Sequence, residues 1–434
     1  MTMRIYVEPA REQWPFLARR VNRDDATLNW RVSEILRKIK DGGDAALINV
    51  ITEVEGKAPD RLKVTAEEFE AAVRLVPDGL KAAILEAAAR IRAFHEQEFP
   101  RDLTWNDGAG IICRRRFLPL PRVGLYIPGG TAPLFSTVLM LGVPSGIAGC
   151  PERIICTPPS KEGTIAPAIL FAAKVCGIGD VYKVGGAQAI AAMAYGTGTI
   201  RKVSKIFGPG NRYVLKAKQM VSHEGLSIDM PAGPSEVMVI ADGSADVTFV
   251  ASDMLSQAEH GPDSQAILVC GDYGFAQAVK AEIKKQKAAL PRRDIVDKAL
   301  TDSRIIVLKD LEEQIRFANF YAPEHLILSV TDPGDAAKMV TAAGSVFLGN
   351  YSPESAGDYA SGTNHILPTM GTADSWSGIG VESFMHAISY QSLTREGLSR
   401  ISDTIITMAE AEGLQAHANA VRCRINNLKA NGNS

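Results

Sequence analysis

The chain has 434 residues, a length that predicts two or more domains rather than one core. Its content of 46% hydrophobic and 22% charged residues is ordinary for a globular protein and argues against disorder. Because 47 Lys and Arg residues nearly balance 49 Asp and Glu residues, the net charge of -2 gives no general attraction to nucleic acid or to an anionic membrane.

Local features indicate a cytoplasmic protein that binds neither membranes nor nucleic acids. The N-terminus lacks the apolar stretch of a signal peptide, and no run of 18 apolar residues occurs, so no transmembrane helix is expected. The six cysteines include no C-x-x-C pair, which favours reduced thiols over a disulfide framework. We interpret the short basic run Arg114, Arg115 and Arg116 as a solvated edge or a substrate-side patch.

Residues 29–98 have apolar positions at three- and four-residue spacing, which predicts helices, with a break at Gly42 and Gly43. From Val123 onward, short β-branched runs alternate with Ala- and Leu-rich stretches that are mostly long enough for crossover helices. The nine expected strands are VGLYI, RIICT, VYKVG, KIFG, EVMVIAD, QAILVC, RIIVL, HLILSV and SVFLG. This alternation predicts α/β units around parallel sheets that are buried on both faces.

Nine strands could form either one barrel or two smaller open sheets. The loop of residues 228–235, IDMPAGPS, has the chemistry of a domain crossing, so we favour two sheets. From about Thr394 the tail again has the apolar spacing of a helix.

Five of the seven histidines fall between residues 260 and 417. Gln257 and His260 stand three residues apart, a spacing that puts both on one helix face near an end enforced by Gly261. A carbonyl oxygen and an imidazole at that spacing can share a metal, although a structural role is the simpler explanation for so short a motif. His386 sits among apolar residues of helical pattern and is expected to be a packed or surface histidine.

An acid and a base are adjacent in the segment YAPEHLIL, residues 321–328. Pro323 predicts an extended backbone before Glu324 and His325, where a strand begins. This arrangement suits general acid/base chemistry, because ligands bind near strand ends in open α/β sheets. Neighbouring strand residues point to opposite faces, so proton relay through water fits as well as a direct hydrogen bond.

Two further polar segments could carry chemistry. Residues 352–369 form a long polar stretch that is expected to be a functional or disordered loop, and its length and glycine content favour function, with Asp358 and His365 as candidate ligands or bases. Glu412 and His417 lie on a terminal helix interrupted by Gly413, where a solvated helix face is the simpler explanation.

Gln, His and Asp donors without thiolates suit a Zn²⁺, Mn²⁺ or Co²⁺ site with open positions for a substrate. Separately, the Gly-rich loops of residues 123–133, 184–189 and 207–214 each follow an expected strand and precede an expected helix. Backbone N–H groups at helix N-termini favour phosphate or another anion. Because none of the loops has the G-x-G-x-x-G fingerprint, spacing alone indicates an anionic ligand and does not specify NAD.

Seven motifs, in their order and spacing, make essentially the whole chain resemble the histidinol dehydrogenase family: VGLYIPGG, VGGAQAIAA, FGPGN, IDMPAGPSEV, SQAEHGPDSQ, APEHL and SPESAGDYASGTNH. The resemblance implies an NAD- and zinc-dependent dehydrogenase of histidine biosynthesis. Such an enzyme oxidises L-histidinol through L-histidinaldehyde to L-histidine, using two NAD⁺ at one site. One zinc ion per subunit and a homodimer with intertwined subunits are also implied.

The resemblance also implies roles for individual residues. The implied zinc ligands are Gln257, His260, Asp358 and His417. The acid/base pair would be Glu324 and His325. The implied substrate contacts are Ser235, Gln257, His260, His325, Asp358, His365, Glu412 and His417. The NAD⁺ contacts carry over to Tyr126, Gln188 and Asn211.

The fold that the resemblance implies is α/β, with two related, incomplete Rossmann-like parallel sheets that carry helices on both faces. A small N-terminal extension, residues 1–21, precedes a first α/β domain of residues 22–126 and 237–377, which would carry most of the catalytic and metal site. Residues 127–236 would form a second α/β domain with the NAD-contacting loops. Residues 378–434 would be a helical C-terminal tail that completes the partner's site.

Two other functions stay open at this point. Relatives often have a basic pair where this chain has Met385 and His386, so a paralogous zinc- and NAD-dependent dehydrogenase of another polar alcohol, such as a sulfonated diol, is an alternative. A metal-dependent ligand-binding protein without catalysis is a second alternative, which the intact acid/base pair argues against. Retention of Ser235, His365 and Glu412 favours histidinol as the substrate.

Overall fold

The computed structural model of the chain describes residues 3–20, 26–129, 133–230 and 233–431. Its strands, numbered in chain order, are β1 (Arg4–Val7), β2 (Leu103–Asn106), β3 (Ile111–Pro119), β4 (Arg122–Tyr126), β5 (Glu152–Thr157), β6 (Asp180–Lys183), β7 (Lys205–Phe207), β8 (Ser227–Ile228), β9 (Glu236–Ala241), β10 (Gln265–Cys270), β11 (Arg304–Val307), β12 (His325–Ser329), β13 (Ser345–Leu348) and β14 (Met385–Leu393).

The helices are α1 (Trp14–Leu17), α2 (Ala26–Glu55), α3 (Ala66–Leu75), α4 (Asp78–His95), α5 (Phe135–Ile147), α6 (Pro167–Val175), α7 (Gly186–Tyr195), α8 (Arg212–His223), α9 (Val247–Ala258), α10 (Tyr273–Lys287), α11 (Arg293–Ala299), α12 (Leu311–Tyr321), α13 (Pro333–Ala337), α14 (Glu354–Tyr359), α15 (Arg395–Ala411) and α16 (Gln415–Asn431). The elements fall into two units, one of Met1–Glu98 and Leu120–Phe384 and the other of Phe99–Pro119 and Met385–Ser434. All nine strands predicted from the sequence are present.

The first unit contains two parallel sheets that share a strand order. The six-stranded sheet runs β1-β11-β10-β9-β12-β13, and the five-stranded sheet runs β6-β5-β4-β7-β8. Apart from β1, each sheet has its first strand in the centre, its second and third strands on one side and its fourth and fifth on the other. This 3-2-1-4-5 order lacks only the sixth strand of a Rossmann sheet. The predicted α/β fold with two related, incomplete Rossmann-like sheets is therefore confirmed.

Alternate residues of β9 show why the six-stranded sheet is buried on both faces. Val237, Val239 and Ala241 share a core with residues of α9, α10 and α11. Met238 and Ile240 share a different core with residues of α1, α12 and α13. Every residue of β9, β10 and β12 is buried. A strand covered on both faces needs an apolar residue at nearly every position, which explains the unbroken runs in the sequence.

The N-terminal helices pack with the five-stranded sheet. Leu36 and Ile51 of α2 share a core with Ile154 and Ile206 of that sheet, while α3 contacts α6 and α4 contacts α5. Helix α2 therefore buries its apolar stripe against the five-stranded sheet, whereas the expected domain of residues 22–126 and 237–377 stays a prediction. Residues 22–25 lie outside the described residues. The predicted helix break is present, since Gly43 has a non-helical φ of 56° within α2.

The two sheets are joined by the segment that was expected to be a domain crossing. Residues between β8 and β9 lead from the five-stranded to the six-stranded sheet, with residues 231 and 232 outside the described part. At the other end of the chain, β1 adds to the edge of the six-stranded sheet through parallel pairing with β11. Within the described residues, no helix is long and apolar enough to cross a membrane.

The second unit is a three-stranded antiparallel sheet, β14-β3-β2, with helices α15 and α16. The helical pattern expected from about Thr394 corresponds to α15 and α16. Earlier in the expected tail of residues 378–434, the chain forms β14, which pairs with β3 along its whole length. His386 accordingly lies on a strand, where it is exposed. The basic run Arg114, Arg115 and Arg116 is exposed as predicted, but it lies on the central strand β3 and not on an edge.

Candidate active site

Glu324 and His325 lie where the chain enters β12. Helix α12 ends at Tyr321, and its C-cap Ala322 has a left-handed φ of 50°. His325 is the first strand residue, as predicted. Both side chains are buried. Nδ1 of His325 lies 3.6 Å from Oε2 of Glu324, a separation too long for a good hydrogen bond.

One residue of the neighbouring strand holds both side chains. The backbone N–H of Glu236 donates to Oε2 of Glu324 at 2.8 Å, and Nδ1 of His325 donates to the carbonyl oxygen of Glu236 at 3.2 Å. Because a carbonyl can only accept, neutral His325 carries its proton on Nδ1 and a free lone pair on Nε2. Burial lowers the pKa of His325 to about 3, so the imidazole is neutral and can accept a proton through Nε2.

Asp358 brings three histidines together around its carboxylate. Oδ1 of Asp358 lies 3.9 Å from Nε2 of His325 and 3.8 Å from Nδ1 of His365, and Oδ2 lies 4.0 Å from Nε2 of His260. Nδ1 of His365 donates to the carbonyl oxygen of Asp358 at 3.0 Å, and its Nε2 lies 3.5 Å from Oγ1 of Thr137. Burial lowers the pKa of His365 to about 4. These residues, distant in sequence, therefore form one cluster.

The structure refines two local predictions about this cluster. Helix α9 ends at Ala258, so Gln257 lies in its last turn and His260 lies in the turn beyond, where its N–H donates to the carbonyl of Gln257 at 3.2 Å. His260 therefore lies just beyond the helix, although side-chain atoms of both residues approach Glu354. The polar segment of residues 352–369 is not one continuous loop, because α14 forms within it immediately after Pro353.

Glu354 is a buried member of the cluster that the sequence analysis did not single out. It precedes Asp358 by one turn of α14, and 1% of its surface is exposed. With the amide of Gln257 oriented so that its NH₂ group meets acceptors, this group donates to Oε1 of Glu354 at 2.9 Å. Ligand atoms of His260, Glu354 and Asp358 all lie within 4.8 Å of one another. The missed signal is a pair of acids four residues apart, which would lie on one helix face.

The carboxylates of the cluster have the electrostatic character of a cation site. Burial raises the pKa of Asp358 to about 7, as it does for Asp253, which is buried on α9 one turn before Gln257. Burial also raises the pKa values of Glu324 and Glu354 well above their usual range. A buried carboxylate is costly unless it is paired or coordinates a metal. Together with amide and imidazole donors, these groups fit Zn²⁺, Mn²⁺ or Co²⁺.

The remaining predicted substrate residues are divided between the two units. Ser235 is half-buried immediately before β9, and its carbonyl accepts a hydrogen bond from the N–H of Gln265 at 3.1 Å. Glu412 is the C-cap of α15 and His417 lies near the start of α16, both exposed in the second unit. The roles of Glu412 and His417 in a site therefore stay predictions.

The three predicted NAD⁺ contacts line one cleft of about 1000 Å³. Tyr126 ends β4, and its hydroxyl accepts a hydrogen bond from the N–H of Gly186 at 3.1 Å. Gln188 of α7 donates to Oε1 of Glu55 at 3.0 Å, and Asn211 caps the N-terminus of α8. An adjoining cavity of about 460 Å³ shares Gly186, Gln188 and Asn211. Glu55 of α2 also lines this cleft. The sequence analysis missed it, because no local pattern marks it as a binding residue.

The FGPGN loop of this cleft is fixed at Gly208. Its φ is 118°, and a Cβ there would lie 2.1 Å from the carbonyl oxygen of Tyr126, so only glycine fits. The N–H of Gly208 donates to the carboxylate of Asp229 at 2.7 Å, and the carbonyl of Gly208 accepts a hydrogen bond from Lys218 at 2.8 Å. Lys218 and Asp229 also form a buried ion pair. The backbone leading to Asn211 is therefore held from both sides.

The cleft and the acid/base cluster occupy opposite ends of their sheets. Tyr126 is the last residue of β4, so the cleft lies at the carboxyl ends of the strands, next to the position where the strand order reverses. Glu236 and His325 are instead the first residues of β9 and β12. The rule that ligands bind at carboxyl ends thus describes the cleft, whereas loops entering the strands carry the acid/base cluster.

A sequence model described as Histidinol dehydrogenase matches residues 18–425. Histidinol dehydrogenase of Bacteroides thetaiotaomicron is 48% identical over 427 residues, 98% of this chain and 100% of that protein. That of Vibrio vulnificus is 47% identical over 423 residues, 97% of each chain. A crystal structure of histidinol dehydrogenase from Elizabethkingia anophelis has a TM-score of 0.96 at 47% identity, covering 98% of this chain and 99% of that one. The resemblance seen in the sequence is therefore confirmed: this chain belongs to the histidinol dehydrogenase family and is an oxidoreductase.

Proposed function

We propose that this chain catalyses the NAD- and zinc-dependent four-electron oxidation of L-histidinol through L-histidinaldehyde to L-histidine, the last steps of histidine biosynthesis. Similarity over the full length to proteins named histidinol dehydrogenase supports this reaction. The observation that carries the proposal is the buried pair of Glu324 and His325 beside Asp358. This arrangement offers a neutral base, a second carboxyl group and metal donors within one cluster.

The proposed zinc ligands are Gln257, His260, Asp358 and His417. When bound, zinc would hold the imidazole and amino nitrogens of the substrate, which is a positioning role. Ser235, His365 and Glu412 complete the proposed substrate contacts. His365 suits this role because burial keeps its imidazole neutral and its Nδ1 donates to the carbonyl of Asp358. Its Nε2, which lies 3.5 Å from Oγ1 of Thr137, is then the ring atom that can accept a hydrogen bond.

The acid/base pair would move protons in two separate oxidations. In the first, Nε2 of His325 accepts the alcohol proton as the substrate carbon loses hydride. In the second, Glu324 takes a proton from water as the water oxygen attacks the aldehyde carbon. The resulting hydrate then loses a hydride to the oxidant and a hydroxyl proton to the acid/base pair, which gives the carboxylic acid, and this ionises to the carboxylate. The raised pKa of Glu324 makes its ionised form a stronger base. NAD⁺, held by Tyr126, Gln188 and Asn211, would accept one hydride in each oxidation.

The proposed assembly is a cytoplasmic homodimer with intertwined subunits. In it, the C-terminal tail of residues 378–434 would complete the partner's site with Glu412 and His417. Both side chains are exposed within their own unit, so they are available for such a contact. The aldehyde would be retained between the two oxidations in a site that limits water access.

NADH formation with L-histidinol tests the proposal. We expect two NADH per histidinol, loss of activity after chelation of the metal, and loss of activity in His325→Asn. His223→Asn, which changes an exposed histidine at the end of α8, is the matched control and should keep wild-type activity. Turnover of another polar alcohol without any turnover of L-histidinol would overturn the substrate assignment and favour the paralogous dehydrogenase.

A further inference from the structure

The backbone of Glu236 determines how three residues of the cluster are oriented. Its N–H donates to Glu324 at 2.8 Å and its carbonyl accepts from His325 at 3.2 Å. With the amide orientation described above, the nitrogen of Gln257 also lies 3.3 Å from this carbonyl. A shift of this one residue would therefore move the base, the second carboxyl group and a proposed metal ligand together.

The side chain of Glu236 is fixed by Arg20, which comes from the N-terminal segment. Nε of Arg20 donates to Oε1 of Glu236 at 3.0 Å and Nη2 donates to Oε2 at 3.2 Å, so the contact is bidentate. The N–H of Met370 donates to the same Oε1 at 2.9 Å. The side chains of Arg20 and Glu236 are 13% and 1% exposed, so the ion pair is buried.

The same guanidinium also holds the turn that carries Glu324. It lies 3.6 Å from the ring centroid of Tyr321, and Nη2 donates to the carbonyl oxygens of Tyr321 and, at 3.4 Å, of Ala322. These carbonyls stand at the C-terminal end of α12, where they lack partners within the helix. One side chain thus joins the start of β9 to the turn that leads into β12.

We propose that the Arg20–Glu236 ion pair is a positioning element of the active site, which sets the orientation of Glu324 and His325 through the backbone of Glu236. Neither Arg20 nor the carboxylate of Glu236 contacts the proposed substrate or cofactor in this role. A buried ion pair contributes little net stability compared with apolar side chains of similar volume. Stabilisation of the fold therefore does not by itself account for it, whereas the geometry of its contacts does.

The inference rests on the proposed acid/base roles, so wild-type turnover of L-histidinol is measured first. The variants are Arg20→Met, Arg20→Lys and the double replacement Arg20→Met with Glu236→Leu. Arg304→Met is the matched control, because Arg304 is also partly buried and donates to the N-terminal carbonyls of Leu17 and Arg19. Within the described residues, Arg304 makes no hydrogen bond or ion pair with Glu236.

Arg20→Met should lower kcat about 10- to 100-fold, the effect of a displacement of about 1 Å at reacting groups. With zinc saturating, KM should stay within about twofold of wild type, and added guanidinium at non-denaturing concentration should restore part of kcat. The double variant should show the same loss of kcat in a stably folded protein. Arg304→Met should lower the melting temperature but leave kcat unchanged.

Nitrogen NMR of labelled histidine tests the positioning independently of turnover. The His325 signals, assigned by their loss in His325→Asn, should show a proton on Nδ1 in the wild type and a mixture of tautomers in Arg20→Met. If Arg20→Met does not fold, Arg20→Lys serves instead, because lysine keeps the charge but cannot make the bidentate contact. A kcat within twofold of wild type, or an unchanged tautomer in a folded variant, would overturn the inference. Failure of the wild type to oxidise L-histidinol would count against the proposed function alone.

Discussion

Replacing Glu354 with glutamine tests whether its charge orients Gln257 for metal binding. The NH₂ group of Gln257 donates to Oε1 of Glu354 at 2.9 Å and lies 3.3 Å from Oε2, which leaves the amide oxygen of Gln257 for a metal. A hydrogen bond to a charged acceptor contributes about 1.5–3 kcal/mol, against about 0.5–1.5 kcal/mol for a neutral one. Glu354→Gln keeps the volume and an acceptor, so about 1–2 kcal/mol of orienting energy is lost.

That loss corresponds to a decrease of about tenfold in metal affinity, since 1.4 kcal/mol is a factor of ten. Loss of the nearby negative charge adds to it, and residues that orient metal ligands typically account for about 10- to 100-fold in affinity. We expect Glu354→Gln to raise the Kd for Zn²⁺ by that factor. The metal-free variant should be at least as stable as the wild type, because burial already disfavours the charged form of Glu354.

The assay is competition between metal-free protein and a chromophoric chelator for Zn²⁺. Glu86→Gln, which changes an exposed glutamate on α4, is the control and should bind as the wild type does. Asp358→Ala, which removes a proposed ligand, should abolish binding and activity while the dimer persists. If Asp358→Ala loses zinc but Glu354→Gln binds it with unchanged Kd, the argument that Glu354 orients Gln257 is wrong.

Three further results are expected. Mixed dimers of His325→Asn and His417→Ala subunits should recover up to half of the wild-type activity if the tail completes the partner's site, and no recovery would place each site within one subunit. Gly208→Ala should destabilise the protein by about 1–3 kcal/mol in urea unfolding, because its Cβ meets the carbonyl of Tyr126, whereas Gly243→Ala, with open space around it, should not. Burial raises the pKa of Asp253 from 3.8 to about 7, so the folded carboxyl binds a proton more tightly than the unfolded one and stability falls as the pH rises through this interval. Asp253→Asn should therefore raise the melting temperature of the metal-free protein more near pH 8 than near pH 5. An equal gain at both pH values would contradict the raised pKa of Asp253.

The strands of the parallel sheets could be predicted because burial on both faces imposes a local pattern. EVMVIA and QAILVC are apolar at nearly every position, and every residue of both strands is buried. Strand β14 could not be predicted in this way, since its sequence MHAISYQSL is mostly exposed and mixes polar with apolar residues. Its pairing with β3 joins residues more than 250 positions apart in the chain, and no local pattern reports such a partner.

The same distinction between local and long-range signals applies to the residues of the candidate site. Glu324 and His325 could be found because a proline and the onset of a strand mark them locally. The pairing of Arg20 with Glu236 could not be found, because 216 positions separate the two residues and no local pattern links them. Only the folded structure shows their contact, because it places the N-terminal segment beside the start of β9.

Both sheets use a buried ion pair at the boundary between their first and fourth strands. In the five-stranded sheet, Lys218 and Asp229 hold the backbone of Gly208 beside the end of β4. In the six-stranded sheet, Arg20 and Glu236 hold the backbone at the start of β9 beside the acid/base pair. Buried ion pairs contribute little net stability but fix direction and distance through charge-assisted hydrogen bonds. Since each pair acts on backbone that contacts proposed functional residues, geometry rather than stability is the property they have in common.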